Sequence, residues 1–159
     1  MRIRVGVDLT LLTGFANDAA FVDALLASFT PRRADAREFA LTRRVLLLRT
    51  SSGVDVDVAL GGLPFEERSI ERASLWSWGD GQSLFTCSAE DLIVHKVFAG
   101  RDRDWGDVES VLIRQDGTLN LEQVREELDP LLELKGEPEA TVKLARMIAT
   151  VTRRLRAKP

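Results

Sequence analysis

Three aspartates on candidate β-strands are the residues of this sequence best suited to bind a cation. Asp55 and Asp57 lie in "SGVDVDVALGG", and Asp8 lies in "RIRVGVDLTLL". In an extended chain Asp55 and Asp57 point to one side, and apolar residues alternate with them on the other side. Strand carboxylates that converge at one sheet edge are typical ligands of a hard cation such as Mg²⁺. The alternative is that these aspartates face solvent, because Asp-x-Asp is a weak pattern.

A second group of charged residues lies in "HKVFAGRDRDWGDVE". If one helix runs unbroken through Gly100, then Lys96, Gly100, Arg103 and Asp107 lie on one face. A lysine and an arginine beside a bare glycine can admit an anionic ligand such as a triphosphate. The alternative is a solvated helix face on which arginines and aspartates pair with each other. The positions that flank this face hold Arg101 and Asp104.

The elements that must position these residues begin with strands and short helices. "RIRVGVDLTLL" predicts a buried strand, and Asn17 is placed to cap a helix over "DAAFVDALLASF". "RRVLLLRT" and "VDVDVALGG" predict a β-hairpin around Ser51-Ser52-Gly53. Pro64 suits the first turn of a helix over "FEERSIERA". "WSWGDGQSLFTC" predicts two short extended segments around a Gly-Asp-Gly turn.

The second half of the chain is predicted to be helical. Ser88, with Asp91 three residues later, predicts the start of a helix over "AEDLIVHKVFAGR". "DWGDVESVLIRQ" is a second helix or a continuation of the first past Gly100, and the helical segments "LEQVREELDPLLEL" and "PEATVKLARMIATVTRRLRA" follow. The order of elements favours an α+β fold with a small mixed or antiparallel sheet and flanking helices. We expect one domain over residues 1–159, with a sheet-containing part (1–87) and a helical part (88–159).

Composition narrows the class of protein. The chain has 159 residues, 45% of them hydrophobic, and a net charge of −3, which argues against coating nucleic acid through bulk charge. Cys87 is the single cysteine and His95 the single histidine, so neither an internal disulfide nor a usual zinc site is expected. A reducing, cytoplasmic location is the natural expectation. No apolar run reaches the ~20 residues that span a bilayer, so no membrane association is expected.

Taken together, these segments resemble the minimal nucleotidyltransferase superfamily and, within it, the AbiEii-type toxin-like proteins. "VDLTLL" resembles the Asp-x-Asp strand of that family, and "GVDVDVALGGLPFE" resembles its third-carboxylate strand and the following loop. "SAEDLIVHKVFAGRDRDWGDVE" resembles its helical motif, a Lys followed by Arg-x-x-Asp-x-x-Asp. The resemblance implies a nucleotidyltransferase-like fold and transfer of a nucleotidyl group from a nucleoside triphosphate to a hydroxyl acceptor. The acceptor would be RNA (for example tRNA) or a protein, and an antitoxin is an expected partner.

The resemblance also implies roles for individual residues. Asp8 and Asp57 would hold Mg²⁺ or Mn²⁺ as the second and third carboxylates, and Lys96 would contact phosphate or activate a reacting group. Asp55 would be an extra carboxylate near the hairpin turn, where water screens it. We therefore expect Asp8 and Asp57 on neighbouring strands, with Lys96 facing them across a cleft. The remaining nucleotide-binding residues would be Arg101, Arg103, Asp104 and Asp107.

The sequence departs from the family pattern at its beginning. Gly6 stands where the first carboxylate is expected, and no Gly-Ser or Gly-Gly phosphate-binding turn precedes it, as if the chain were clipped at its N-terminus. We therefore expect a folded domain that binds nucleotide poorly and transfers it slowly or not at all. Three functions stay open: an active toxin-type nucleotidyltransferase, a catalytically inactive binding or regulatory module with the same fold, and an unrelated α+β interaction domain.

Overall fold

The computed structural model describes residues 6–157 and has the predicted α+β class. The chain divides into two compact units between Glu71 and Arg72. The N-terminal unit contains β1 (Gly6–Leu12), α1 (Asp18–Ser28), β2 (Thr30–Pro31), α2 (Ala36–Arg43), β3 (Val45–Arg49), β4 (Asp55–Gly61) and α3 (Pro64–Glu71). The C-terminal unit contains β5 (Ser74–Trp78), β6 (Gln82–Thr86), α4 (Ala89–Ala99), α5 (Asp102–Gln115), α6 (Leu121–Lys135) and α7 (Glu139–Arg156).

Two of the sequence predictions concern the limits of these units. The predicted first strand began before residue 6, and that part lies outside the described residues. The expected division of the chain at residues 87 and 88 differs from the division between the two compact units, because the hairpin of β5 and β6 belongs to the C-terminal unit. The single domain over residues 1–159 stays a prediction.

The N-terminal unit is built on a mixed sheet with the strand order β1-β4-β3-β2. β1 runs parallel to β4, whereas β3 is antiparallel to both β4 and β2. The predicted hairpin of β3 and β4 is confirmed, and its turn is closed by a hydrogen bond from the Thr50 amide to the Val54 carbonyl (2.9 Å). Gly53 has φ of +85°, a backbone conformation that glycine adopts without a steric penalty.

One face of this sheet carries the core of the N-terminal unit. Alternation along β3 and β4 directs their apolar side chains to this face, where they pack with residues of α1 and α2. Leu46 and Leu48 of β3 are almost fully buried there. The other buried members of this cluster are Val22, Ala36, Ala40, Val56, Val58 and Leu60. Because α1 and α2 cover this face, the alternate residues of β3 and β4 are left to the opposite, polar face.

The prediction that β1 is a buried strand is wrong. Val7 and Leu9 are 38% and 40% exposed, although they lie in register with buried residues of β4. β1 is the edge strand, and β4 is its only neighbour in the sheet as described for residues 6–157. Leu11 alone among the alternating residues of β1 packs against the buried cluster. An apolar strand pattern therefore did not distinguish an edge strand from a central one.

The loop that follows β1 is fixed by ion pairing rather than by the predicted cap. Asn17 occupies the N-cap position of α1, but its side chain makes no capping hydrogen bond. Asp18, in the first turn, accepts a hydrogen bond from Arg44 Nη1 (2.6 Å) and another from the Thr13 hydroxyl. Arg44 also donates to the carbonyl oxygens of Gly14 (2.8 Å) and Leu60 (2.6 Å). One arginine thus ties the ends of β1 and β4 to α1.

In the C-terminal unit, the predicted extended segments around the Gly-Asp-Gly turn and the predicted helix start are confirmed, and the helices before and after Gly100 are separate. β5 and β6 pair antiparallel around the Gly-Asp-Gly turn, and the Ser88 hydroxyl caps α4 by accepting from the Asp91 amide (3.0 Å). α4 ends at Gly100, whose φ of +71° places it in the left-handed region that commonly terminates helices. Of the two arrangements left open by the sequence, the structure has two separate helices, α4 and α5, rather than one helix running unbroken through Gly100. Within residues 6–157, no helix has both the length and the apolar character needed to cross a membrane.

Side-chain truncation can test whether β3 lies in the core and β1 at an exposed edge. We expect Leu48→Ala to lower the free energy of unfolding by about 2–5 kcal/mol, because it leaves a cavity in a packed core. Leu9→Ala should cost less than half of that loss, because its side chain is already partly in water. Urea titration followed by circular dichroism measures both. Equal losses would contradict the placement of β1 at an exposed edge.

Candidate functional site

Asp8 and Asp57 lie directly opposite each other on the parallel strands β1 and β4. Side chains in register on adjacent strands project to the same side of a sheet, so these two carboxylates share the polar face. The predicted placement of Asp8 and Asp57 on neighbouring strands is confirmed. Gly6 lies opposite Asp55 in the same register. Gly6, where the resemblance expects a first carboxylate, is therefore also at a position of the polar face.

Arg32 provides a positive charge to the carboxylate pair of β4. Its Nη1 donates to Asp55 Oδ2 (3.1 Å), and its Nη2 donates to Asp57 Oδ1. Arg32 follows β2 directly, and its amide donates to the Leu47 carbonyl (3.0 Å). Because Leu47 is the partner of Asp57 across β3 and β4, this hydrogen bond places Arg32 level with Asp57. The guanidinium thus reaches across β3 to bridge the two aspartates.

Asp55 is the more deeply buried member of the pair. Its side chain is 10% exposed, against 38% for Asp57. It accepts a second charged hydrogen bond, from Arg49 Nε (2.8 Å), and Arg49 lies directly opposite it in the hairpin. The expectation that water screens Asp55 is therefore wrong: two guanidinium groups neutralise it. Hydrogen bonds between ionised partners are shorter and stronger than neutral ones, which is how a buried carboxylate stays charged.

While Arg32 bridges the two aspartates, its Nε atom is left without a hydrogen bond. Arg32 Nε is buried and has no hydrogen-bond partner among the described residues. An unsatisfied buried donor costs about 1–3 kcal/mol. Breaking a buried ion pair costs about 3–5 kcal/mol, which is larger. The contacts to Asp55 and Asp57 therefore outweigh the penalty at Nε and fix the orientation of the guanidinium.

As arranged, these residues fit a divalent cation poorly. Asp57 already binds Arg32, and Asp55 is held by Arg32 and Arg49. Asp8 is exposed and forms no ion pair with any residue between 6 and 157. The same part of the chain contains no group of three or more acidic, histidine or cysteine side chains placed to hold a metal ion. A cation here would have Asp8 as its single unpaired carboxylate ligand.

Lys96, in the C-terminal unit, is also paired with carboxylates. Its Nζ lies 2.8 Å from Asp107 Oδ2 and 3.8 Å from Asp104 Oδ1. The two aspartates are on α5, which packs against α4 after the chain reverses at Gly100. Lys96 and Asp107 do meet, as the predicted common face required. They meet across two helices rather than along one.

Arg101 and Asp104 form a closed pair at the start of α5. Asp104 Oδ2 accepts from both the amide (3.1 Å) and Nε (2.6 Å) of Arg101, and Oδ1 accepts from Nη2 (3.1 Å). Burial opposes ionisation of Asp104, but the hydrogen bonds and charge of Arg101, with the charge of Lys96, lower its pKa below the ordinary value of 3.8. Arg103 is exposed and forms no ion pair with another residue of the described range. The arginine–aspartate pairing that was the open alternative is present, and nucleotide binding by these residues stays a prediction.

The two groups of predicted site residues lie in different units. Asp8 and Asp57 belong to the N-terminal unit, and Lys96 belongs to the C-terminal unit. A cleft between the strand carboxylates and Lys96 stays a prediction. What the structure brings together is Asp8 with Asp57 on one sheet face, and Lys96 with Asp104 and Asp107 between two helices.

The sequence reasoning missed Arg32 and Arg49. For Arg49 a signal was present, since a hairpin whose turn spans residues 50–54 places residue 49 opposite Asp55. For Arg32 the only signal was indirect: two carboxylates on one strand face require a cation close by. No local pattern around Arg32 indicates which cation supplies that charge, because the contact depends on strand pairing across the sheet.

Comparison of the chain with protein-family models and with curated proteins finds no match. The resemblance to nucleotidyltransferases therefore stays a prediction from the sequence motifs.

The contribution of the Arg32 bridge to stability can be compared with that of the exposed ion pair between Arg37 and Asp23. We expect Arg32→Gln to lower the free energy of unfolding by about 3 kcal/mol, the lower end of the range for breaking a buried pair, because Arg49 still contacts Asp55. Arg37→Gln, which breaks the exposed pair with Asp23, should leave the free energy of unfolding nearly unchanged, because water and salt screen an exposed pair. Urea titration of both variants tests this expectation. Similar small losses in both would show that Arg32 does not hold the carboxylates.

The lowered pKa of Asp104 predicts a pH dependence. A carboxyl group whose pKa is lower in the folded state stabilises the fold above its ordinary pKa, and this contribution is lost as the pH falls through the folded-state pKa. We expect Asp104→Asn to lower the urea midpoint at pH 7 and the gap to the unmodified chain to close as the pH falls below 3.8. Asp107→Asn, at a more exposed position, is the matched control and should have a smaller gap at pH 7. A gap for Asp104→Asn that is constant with pH would contradict the assignment.

Proposed function

We propose that this chain is a nucleotidyltransferase-like domain, similar to the AbiEii-type toxins, in which an arginine takes the position of the catalytic cation. In this proposal the domain acts as a binding or regulatory module and transfers nucleotides slowly or not at all. The observation that carries the proposal is the Arg32 guanidinium between Asp55 and Asp57, on the sheet face where Asp8 lies in register with Asp57.

Competition between Arg32 and a divalent cation is the physical reason for weak catalysis. Mg²⁺ or Mn²⁺ needs free carboxylate oxygens, and Asp57 contributes one of its oxygens to Arg32. A cation bound to the other Asp57 oxygen lies beside the guanidinium charge, which repels it unless the guanidinium is displaced. If the displacement costs about 3 kcal/mol, the cation binds about a hundredfold more weakly than it would to the free carboxylates. Gly6 adds to this deficit, because it supplies no ligand.

Binding of a nucleoside triphosphate faces the same kind of competition. Lys96 and Arg101, which the resemblance assigns to the nucleotide, already pair with carboxylates in the C-terminal unit. Arg103 is exposed and unpaired within the described residues, so it is the group most available to a phosphate. We propose weak triphosphate binding, with RNA (for example tRNA) or a protein as the acceptor class and an antitoxin as the protein partner. A cytoplasmic location agrees with the single cysteine.

An active transferase is the second candidate, and one observation favours it. The in-register pair of Asp8 and Asp57 is the arrangement that a two-carboxylate cation site requires, and Asp8 has no ion-pair partner among residues 6–157. If Arg32 turns away when substrate binds, these carboxylates become available. The two candidates differ in one quantity: the affinity of the unmodified chain for Mn²⁺ relative to a chain without Arg32.

The test measures Mn²⁺ affinity by electron paramagnetic resonance and nucleotide transfer with labelled triphosphates. We expect the unmodified chain to transfer nothing to a mixed pool of RNA and protein, and Arg32→Gln to bind Mn²⁺ at least about tenfold more tightly. Gly6→Asp is also informative: a Cβ at Gly6 meets the Asp55 carbonyl oxygen at 3.6 Å, an ordinary contact, so the backbone there accepts a side chain. It should raise the Mn²⁺ affinity further in combination with Arg32→Gln.

The matched control is Arg37→Gln, which removes an arginine from an exposed pair of the same unit and should leave the Mn²⁺ affinity unchanged. Efficient transfer by the unmodified chain that is abolished by Asp57→Asn would establish the active transferase instead. No gain of Mn²⁺ affinity in either Arg32→Gln or the double variant would exclude the strand carboxylates as a cation site and favour an unrelated interaction domain.

A further inference from the structure

A cavity of about 350 Å³ lies in the C-terminal unit, remote in sequence from the strand carboxylates. It is bounded by the end of α5, the loop from α5 to α6, and the second half of α7. Thr118 closes the tight turn of that loop with a hydrogen bond from its hydroxyl to the Gln115 carbonyl (2.7 Å). The apolar lining is Leu112, Leu119, Leu121, Ile148, Val151 and Leu155. Its volume lies within the usual range of small-molecule sites, about 300–1,000 Å³.

The lining also contains two side chains of opposite charge, Asp116 and Arg156, together with Gly117 and the hydroxyl-bearing Thr152. Both charged side chains are exposed, and neither forms an ion pair with any residue of the described range 6–157. Asp116 follows α5 with φ of +29°, so the side chain comes from a turn rather than from a regular helix position. Arg156 lies in the last turn of α7. This contrasts with Arg154 of the same helix, which is paired with Glu109 (2.8 Å).

We infer that this cavity binds a small apolar zwitterion, that is, a free α-amino acid with an aliphatic or aromatic side chain. The carboxylate of the ligand pairs with Arg156, its ammonium group pairs with Asp116, and its side chain fills the apolar interior. A planar guanidinium is well suited to a carboxylate, and both pairs are charge-assisted hydrogen bonds. The site would make the helical unit a sensor of a small metabolite, independently of the function proposed for the strand carboxylates.

The charges of the lining select this ligand class over the alternatives. A simple carboxylic acid satisfies Arg156 but brings a second negative charge towards Asp116, and a simple amine has the reverse problem with Arg156. A polar amino acid matches both charges but leaves the apolar lining without a partner. Arg156 also suits the negative end of the α7 dipole, which explains its place in the last turn. The helix dipole accounts neither for the apolar cavity nor for Asp116 on its wall.

The experiment is calorimetric titration of the full chain with L-leucine and L-phenylalanine at millimolar concentrations. The comparison ligands are 4-methylpentanoate, which lacks the ammonium group, 3-methylbutylamine, which lacks the carboxylate, and L-serine, which lacks the apolar side chain. We expect one of the two apolar amino acids to bind at least about tenfold more tightly than all three comparison ligands. We expect Arg156→Gln and Asp116→Asn each to weaken that binding by about tenfold or more.

Arg146→Gln is the control variant, since Arg146 is an exposed arginine of the same helix that does not line the cavity. It should leave the binding unchanged. Both variants of the lining replace exposed side chains, so circular dichroism should show an unaltered fold. The inference is overturned if neither apolar amino acid binds, if Arg156→Gln binds as the unmodified chain does, or if 4-methylpentanoate binds as tightly as leucine.

Discussion

Two carboxylates on one face of β4, next to a third on β1, repel each other unless a positive charge lies among them. Asp55 makes this requirement strict, because it is buried and an unpaired buried carboxylate would be protonated or would destabilise the fold. Arg32 meets the requirement with one guanidinium for two carboxylates. The short strand β2 positions this arginine: because β2 pairs with β3, Arg32 lies beside Leu47, the residue of β3 that pairs with Asp57.

In the C-terminal unit, too, an arginine neutralises buried carboxylates. Asp91 is fully buried at the start of α4, and Arg72 donates two hydrogen bonds to it, from Nε (3.2 Å) and Nη2 (2.6 Å). Arg72 Nη1 donates to Glu127 of α6 (2.8 Å), so one arginine ties two helices to the first residue of the unit. In both units an internal arginine neutralises buried acids. A ligand that needs those acids must compete with a bonded guanidinium, which is why we favour a binding module over a transferase.

The parts of the fold that sequence could predict are those fixed by local chemistry. The Ser-Ser-Gly turn specified the hairpin of β3 and β4, Pro64 marked the start of α3, and Ser88 capped α4. Gly100 also carried a local signal. An αL glycine ends a helix, whereas the shared face of Lys96 and Asp107 was predicted only for a helix that continued through Gly100.

The missing parts of the candidate site depend on contacts distant in sequence. Arg32 is separated from Asp57 by one helix, α2, and one strand, β3, and no periodicity links them. Exposure of β1 is likewise a property of its place in the sheet: an edge strand and a central strand have the same alternation. That Asp8 and Asp57 lie on neighbouring strands could be predicted, because period-two alternation gives the two strands matching polar faces; their exact register came from the structure. What binds that shared face depends on the tertiary neighbours.

A crystal structure of the full chain grown in Mn²⁺, with an anomalous difference map at the manganese absorption edge, tests the bridging role of Arg32 most directly. If Arg32 is the resident cation, its guanidinium density lies between Asp55 and Asp57, and no anomalous peak is present beside Asp8 and Asp57. An anomalous peak ligated by both Asp8 and Asp57, with Arg32 turned away from them, would contradict it.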